Sequence, residues 1–164
     1  MEITRTFDII DLNVEKYPRK DMYAGKQDKE WITWSTEEIS EYISLISYGL
    51  LSMGYKKGDK IATISPNKPE WNIADMALAQ AGIIHVPIYP TIGTDEYEFI
   101  LEHSEVKAII VGNKSIYNKV SPIAGKISTL REIFSFDPVD GLRQFSEIGR
   151  ASCKGKSVDL GGRR

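Results

Sequence analysis

The sequence predicts an α/β fold: an open, mostly parallel sheet with helices on both faces, preceded by a small N-terminal hairpin. Three observations carry that expectation. Strand-length apolar runs centre near Ile61, Ile84, Ile109 and Ile133, at about the separation that a strand-helix-strand unit requires. Between them lie stretches whose apolar residues recur at helical spacing. The breakers Gly54, Gly58, Pro69 and Gly82 fall between the two kinds of stretch, where the backbone has to turn. The units share a period but no residue signature, so this is not a repeat protein.

Each element has its own local reason. Phe7, Ile10, Val14 and Tyr17 share one face of a short opening helix that Pro18 terminates. The β-prone runs Met22 to Ala24 and Trp31 to Trp34 flank the polar connection Gly25 to Lys29, which reads as a hairpin. Ser35 followed by Glu38 is a capping box, in which each residue's side chain bonds the other's backbone amide. The helix it opens carries Ile39, Ile43, Ile46, Leu50 and Met53 at spacings of four and three, a single apolar stripe. Gly54 supplies a left-handed stop, and Gly58-Asp59 turns the chain into the strand Lys60 to Ser65.

The second half repeats the pattern. Pro69 suits the first turn of a helix, and Ala74, Ala77, Ala79 and Ala81 keep that helix slim enough to lie close to a sheet. After Gly82, Ile83 to Val86 is a strand, and Thr94-Asp95-Glu96 opens a helix carrying Tyr97, Ile100 and Leu101. Lys107 to Gly112 is the next strand, Asn113 to Ala124 a helix shortened or kinked by Pro122, and Arg131 to Phe136 a fourth strand. From about Gly149 the hydrophobic period fades, so residues 1–148 read as one domain and 149–164 as a linker or irregular tail. That tail is native, frameshifted or a cloning scar, with the linker favoured.

Composition bounds the function. At 164 residues and 41% hydrophobic content the chain can bury one sizeable core. A formal net charge of -2 gives no general attraction to nucleic acid, and the basic cluster Arg150, Lys154, Lys156, Arg163 and Arg164 reads as a solvated tail. Cys153 stands alone, which fits a reducing compartment. The N-terminus lacks the basic-then-apolar pattern of an export signal, and no apolar run is long enough to be a transmembrane segment. A soluble cytoplasmic protein, at most peripheral to a membrane, is expected.

Chemical signatures are mostly missing. No glycine-rich dinucleotide fingerprint follows a strand, and Gly149 to Ser157 has five residues between its glycines where a phosphate-binding loop requires four. His85 and His103 lack paired spacing on one helix face, so a metal site is not expected. His85 reads as a packed or edge histidine, and His103 as a helix-end residue. Glu37-Glu38 and Asp95-Glu96 sit at helix starts, where capping explains them, and Trp31, Trp34 and Trp71 read as core anchors. Ligands in such sheets bind outside the carboxyl ends of the strands. Those ends are Ser65-Pro66-Asn67, Pro87 to Thr91, Gly112-Asn113 and Asp137-Pro138; at the second, prolines that steer the chain are a stronger reading than a ligand contact through Tyr89 or Thr91.

Three segments then point to a family. Trp31 to Ile39 resembles the first core motif of adenylate-forming enzymes. Gly54 to Trp71 resembles their Gly-Asp-x-Val-Ala segment with a following Asn-x-x-Glu-Trp, and Leu78 to Thr91 resembles their second core motif. The order is the family's, and the resemblance runs from about Phe7 to about Phe136. The Tyr89-Pro90-Thr91 ending and His103-Ser104-Glu105-Val106-Lys107 ahead of a strand look more like long-chain fatty acyl-CoA synthetases than amino-acid-activating domains.

The resemblance implies an N-terminal fragment of an AMP-forming long-chain fatty acid-CoA ligase. In such an enzyme a fatty acid carboxylate attacks the α-phosphate of ATP, with magnesium offsetting charge, and releases pyrophosphate; the thiol of coenzyme A then displaces AMP. The family's phosphate loop, adenine-binding segments, magnesium carboxylate and adenylating lysine have no match here, so no catalytic, cofactor-binding or metal residue is assigned. The chain alone is expected to be inactive and to bind none of these cofactors tightly. A fatty acid is the implied substrate, with a homodimer as a possible partner. The alternatives are a non-catalytic scaffold or assembly module that kept this fold, and a nucleotide-binding protein of flavodoxin-like architecture.

Overall fold

A computed structural model describes residues 3–27 and 30–151. The opening helix α1 (Asp8–Lys16) buries Ile10 while Tyr17 is exposed beyond its end. Its first turn is held by Asp8, whose carboxylate accepts from the Thr4 and Arg5 amides at 3.1 and 2.8 Å and pairs with the Arg5 guanidinium at 2.7 Å. Strands β1 (Tyr23–Gln27) and β2 (Glu30–Trp34) form the expected antiparallel hairpin, with Tyr23 opposite Trp34. Strand β1 runs further than its apolar residues suggest: Gly25 packs close to Pro69 and Trp34, and a side chain there would come within 3.1 Å of the proline ring. Trp31 corrects its reading as a core anchor. It alternates outward from Trp34 on β2 and is 70% exposed, with the Lys26 ammonium 5.9 Å from its ring.

Helix α2 (Thr36–Ser52) begins at the expected capping box: Ser35 Oγ accepts from the Glu38 amide at 3.1 Å, and the Glu38 carboxylate accepts from the Ser35 amide at 2.8 Å. Ile39, Ile43, Ile46 and Leu50 are buried along one stripe, and Gly54 ends the helix at φ 87°. Strand β3 (Lys60–Ile64) leads to helix α3 (Pro69–Gln80), in which Ala74 and Ala77 are buried but Ala79 is exposed.

Strand β4 (Ile84–Ile88) continues through Pro87, two residues beyond the predicted end at Val86. It is an edge strand, hydrogen-bonded only to β3. The Ile84 amide donates to Asp59 O at 2.8 Å, so by alternation Val86 and Ile88 also face β3 while His85, Pro87 and Tyr89 turn their backbone groups outward. Pro87 therefore omits a donor that had no partner in the sheet.

Helix α4 (Thr94–His103) is capped by the Glu96 carboxylate, which accepts from the Gly93 amide at 2.7 Å. Strand β5 (Ala108–Val111) and helix α5 (Lys114–Ala124) follow; Pro122 sits in the last turn of α5 without breaking it. After β6 (Glu132–Ser135) come two elements the sequence did not suggest, β7 (Arg143–Gln144) and α6 (Phe145–Ala151). Helix α6 runs through residue 149, where the tail was expected to begin. Residues 152–164, including Cys153 and most of the basic cluster, lie outside the described residues.

The main sheet has order β4-β3-β5-β6-β7, and every pairing in it is parallel. Alternation along the strands divides the core. Ile61, Ala108, Ile110 and Phe134 face helices α1, α2, α3 and α6, whereas Ala62, Ile64, Ile109 and Val111 face α4 and α5.

Candidate functional site

From β3 the chain crosses outward to β4, then returns over the sheet to β5 on the other side, which makes the β3/β5 boundary the topological switch point. Open α/β sheets bind ligands in the crevice that such a reversal leaves at the strand ends. All four strand ends read from the sequence lie on this one edge, because the sheet is wholly parallel. At the switch point β3 and β5 end in close contact. A Cβ at Gly112 would fall 2.6 Å from Ser65 Oγ and 2.9 Å from the Pro66 ring, so only glycine lets β3 and β5 end this close together. Ser65 donates to Pro66 O at 2.7 Å, and Asn113 accepts from the Ile116 amide at 3.1 Å, so its side chain serves the N-terminus of α5. Tyr89, just past the end of the edge strand, is 80% exposed, in keeping with prolines that steer the chain.

Space opens one loop away. Where the hairpin lies against the start of α3, Tyr23, Ala24, Asn67, Lys68 and Asn72 border a groove of about 310 Å³. Lys68 occupies the N-cap position of α3 without capping it, and its ammonium instead pairs with the Asp137 carboxylate beyond the end of β6. Burial and the charge of Asp75 push the Tyr23 phenol above its ordinary range, so it stays neutral and serves as a hydrogen-bonding group. The groove offers amides, a hydroxyl and one ammonium. Those groups can hold a polar ligand but include no nucleophile beside a base and no pair of carboxylates.

A second polar cluster lies behind the groove. His85 Nδ1 is 2.7 Å from Asp75 Oδ1, His85 Nε2 is 2.7 Å from Thr63 Oγ1, and the Trp71 ring stands 5.2 Å from the imidazole. With Nδ1–H donating to the carboxylate, Nε2 accepts from the threonine hydroxyl, a tautomer assigned from the network. The order carboxylate, imidazole, hydroxyl is that of a nucleophilic relay. Thr63 is fully buried, however, and no substrate can reach it. The cluster is a strut that ties α3 to β4 and β3.

His103 ends α4 and stacks on Phe99 at 5.6 Å, which agrees with its reading as a helix-end residue. Among the described residues, no group of three or more His, Cys, Asp or Glu could hold a metal ion. Gly149 to Ala151 belong to α6, so the start of the loop-like run Gly149 to Ser157 is helical. The groove and the strut escaped the sequence reading, since both depend on segments that meet only in the fold. The one usable signal was Asp75 and His85, each on an element that had been anticipated.

The AMP-binding enzyme profile matches residues 10–155. The chain belongs to that family. It is 31% identical over 140 residues to long chain acyl-CoA synthetase 4 of Arabidopsis thaliana, a match covering 81% of this chain and 21% of the relative. It is 32% identical over 116 residues to fatty acyl-CoA synthetase A of Dictyostelium discoideum, covering 70% of this chain and 17% of the relative. The chain thus spans about a fifth of the length of the curated relatives it matches.

Solved structures agree on the fold of this AMP-binding family member. A long-chain-fatty-acid-CoA ligase from Archaeoglobus fulgidus superposes with TM-score 0.74 at 21% identity, covering 92% of this chain and 31% of that one. The anthranilate CoA ligase AuaEII, in complex with anthranoyl-AMP, gives TM-score 0.75 at 20% identity, covering 90% of this chain and 27% of that one. Among the described residues, no helix is long and apolar enough to cross a membrane.

Proposed function

We propose that this chain is the N-terminal part of a long-chain fatty acid-CoA ligase, which joins a fatty acid to coenzyme A at the expense of ATP with magnesium. The observation that carries this reading is the family match over residues 10–155, together with 31% and 32% identity to two long chain acyl-CoA synthetases. At the switch point Gly112 lies close against Ser65 and Pro66, and among the described residues no group of three or more His, Cys, Asp or Glu could hold a metal ion. On this reading the role of the segment is structural: its parallel sheet supports a site that other residues complete, and alone it is inactive. No residue of this chain is assigned to the chemistry.

A cytoplasmic location and a homodimer belong to the same proposal. Pro87 interrupts the outward donors of β4, so edge-to-edge strand pairing is not the contact expected.

The test is to express the whole reading frame that contains this chain and to assay it with palmitate, ATP, magnesium and coenzyme A, with the 164-residue chain assayed beside it. Palmitoyl-CoA and AMP are expected from the first and neither from the second. A folded full-length product that forms no acyl-CoA, and exchanges no pyrophosphate into ATP when palmitate is present, overturns the ligase reading and favours the scaffold. Acyl-CoA made by the short chain alone overturns the supporting role.

A further inference from the structure

At the end of the sheet opposite the strand-end crevice, the backbone lines up cations. The Lys107 amide donates to Lys60 O at 2.8 Å, and the Arg131 amide donates to Lys107 O at 2.9 Å. Lys60, Lys107 and Arg131 therefore stand side by side at the starts of three neighbouring strands, about 4.8 Å apart. Like charges in such lateral register repel. Carboxylates offset part of the row: Lys60 pairs with Glu105 at 3.2 Å and Lys107 with Asp59, while Glu132 pairs with Arg143 at 3.5 Å.

Two of those carboxylates also hold neighbouring groups. Asp59 is 10% exposed and also accepts from the Lys56 amide, and Glu132 is 30% exposed and accepts from the Tyr55 hydroxyl. The turn before β3 adds Lys56 and Lys57, both exposed and without a carboxylate partner among the described residues. The surface that faces solvent is thus cationic, bounded on the α4 side by the exposed Glu102 and Glu105. Apolar side chains flank it. Leu51, in the last turn of α2, is 44% exposed, and Ile84, paired with Lys60 at the start of β4, is 50% exposed.

We propose that this rim, Lys56, Lys57 and Arg131 with Leu51 and Ile84 beside them, docks on an anionic lipid surface. A single phosphate needs donors that converge on one point, whereas Lys56 and Lys57 lie in the turn before β3 and Arg131 stands two strands away, about 10 Å across the sheet. Nucleic acid that is held at sheet surfaces calls for aromatic rings interleaved with the cations, and Tyr55, the aromatic next to Lys56, is buried. Lipid headgroups supply spread-out negative charge, and the layer beneath them takes up exposed apolar side chains. The proposal rests on these residues alone and holds whether or not the full protein is a ligase.

The experiment is co-sedimentation of the chain with phosphatidylcholine vesicles that do or do not contain about 30% phosphatidylserine, at low salt and at about 0.5 M salt. Binding is expected only to the anionic vesicles and only at low salt. The Lys56→Gln/Lys57→Gln variant keeps both stems and should bind about 25-fold more weakly, about fivefold for each charge lost near the surface. Leu51→Ser should weaken binding to the anionic vesicles at low salt while leaving its dependence on salt unchanged. The proposal is overturned by equal binding to pure phosphatidylcholine, or by a double variant that melts like the parent and binds like it. Tighter binding of a single-stranded RNA oligonucleotide than of the anionic vesicles overturns it as well.

Discussion

Helices α2 and α6 meet at Gly49, and that contact can be tested by adding one methyl group. A Cβ at Gly49 would lie within 2.7 Å of the Ile148 carbonyl carbon and 2.9 Å of its Cγ2, and it would press directly on the carbonyl oxygen. The neighbour is backbone, so it cannot rotate away; the helices must separate. On α6 the side chains at stake are Phe145, 1% exposed, and Ile148, fully buried. Burying each stabilises by about 1.5–3 kcal/mol, so undocking α6 costs about 3–6 kcal/mol at most. Against this, Gly→Ala inside a helix gains about 0.5–1 kcal/mol. Gly49→Ala should therefore destabilise by about 2–5 kcal/mol, a fall of about 5–15 °C in melting temperature for a domain of this size. Calorimetry reads the melt, and hydrogen exchange should show protection lost first at 145–151. Gly125 is the control: an added Cβ meets nothing within 4 Å, and Gly125→Ala should leave stability within about 1 kcal/mol of the parent or slightly above it. A Gly49→Ala protein that melts at or above the parent temperature, as helix propensity alone requires, would refute this account of the contact.

Three other outcomes follow from the same structure. The Tyr97 hydroxyl is buried without a partner among the described residues, so Tyr97→Phe should be neutral or stabilising by up to about 1–3 kcal/mol in urea unfolding, whereas loss of stability would reveal a partner. Asp75→Asn should cost about 1–3 kcal/mol, since a charge-assisted bond to His85 becomes a neutral one, and the imidazole NMR signals should report a changed tautomer; unchanged signals would remove the strut. Asp59 and Asp8 are held below the usual carboxylate range, Asp59 first by the Lys107 ammonium and Asp8 first by the Arg5 guanidinium. A lowered folded-state value gives stability that is full above the unfolded value near pH 4 and is lost as the pH falls toward the folded one. Melting temperature should accordingly drop between about pH 5 and pH 2, less steeply in Asp59→Asn, and an unaltered slope in that variant would exclude Asp59 as a source.

What could be read from the sequence was local. The Ser35 and Glu38 cap, the stripe from Ile39 to Leu50 and the stops at Gly54 and Gly82 each need only neighbours along the chain, and each stands where expected. Strand β7 is two residues long and α6 buries few side chains, which leaves too little period to detect, and Gly149 read as the start of a tail. Pro87 suggested a strand end because proline removes a ladder donor, yet on an edge strand that donor had no partner. The strand ends of the candidate site were legible from the apolar runs. The groove was not, because it requires Tyr23 to meet Asn72 and Lys68 to find Asp137, pairings that only the docked hairpin and the finished sheet create.

The order β4-β3-β5-β6-β7 also fixes what a growing chain can build at each moment. Strand β3 ends in the interior, and each later strand pairs with one already synthesised, so the sheet can extend during translation without waiting for distant residues. Helix α2 is the exception. Its Gly49 face is covered by α6, about a hundred residues further on, and until Phe145 and Ile148 emerge that apolar face is open to chaperones or to misassembly. The last described helix thus closes the first large surface that the chain creates.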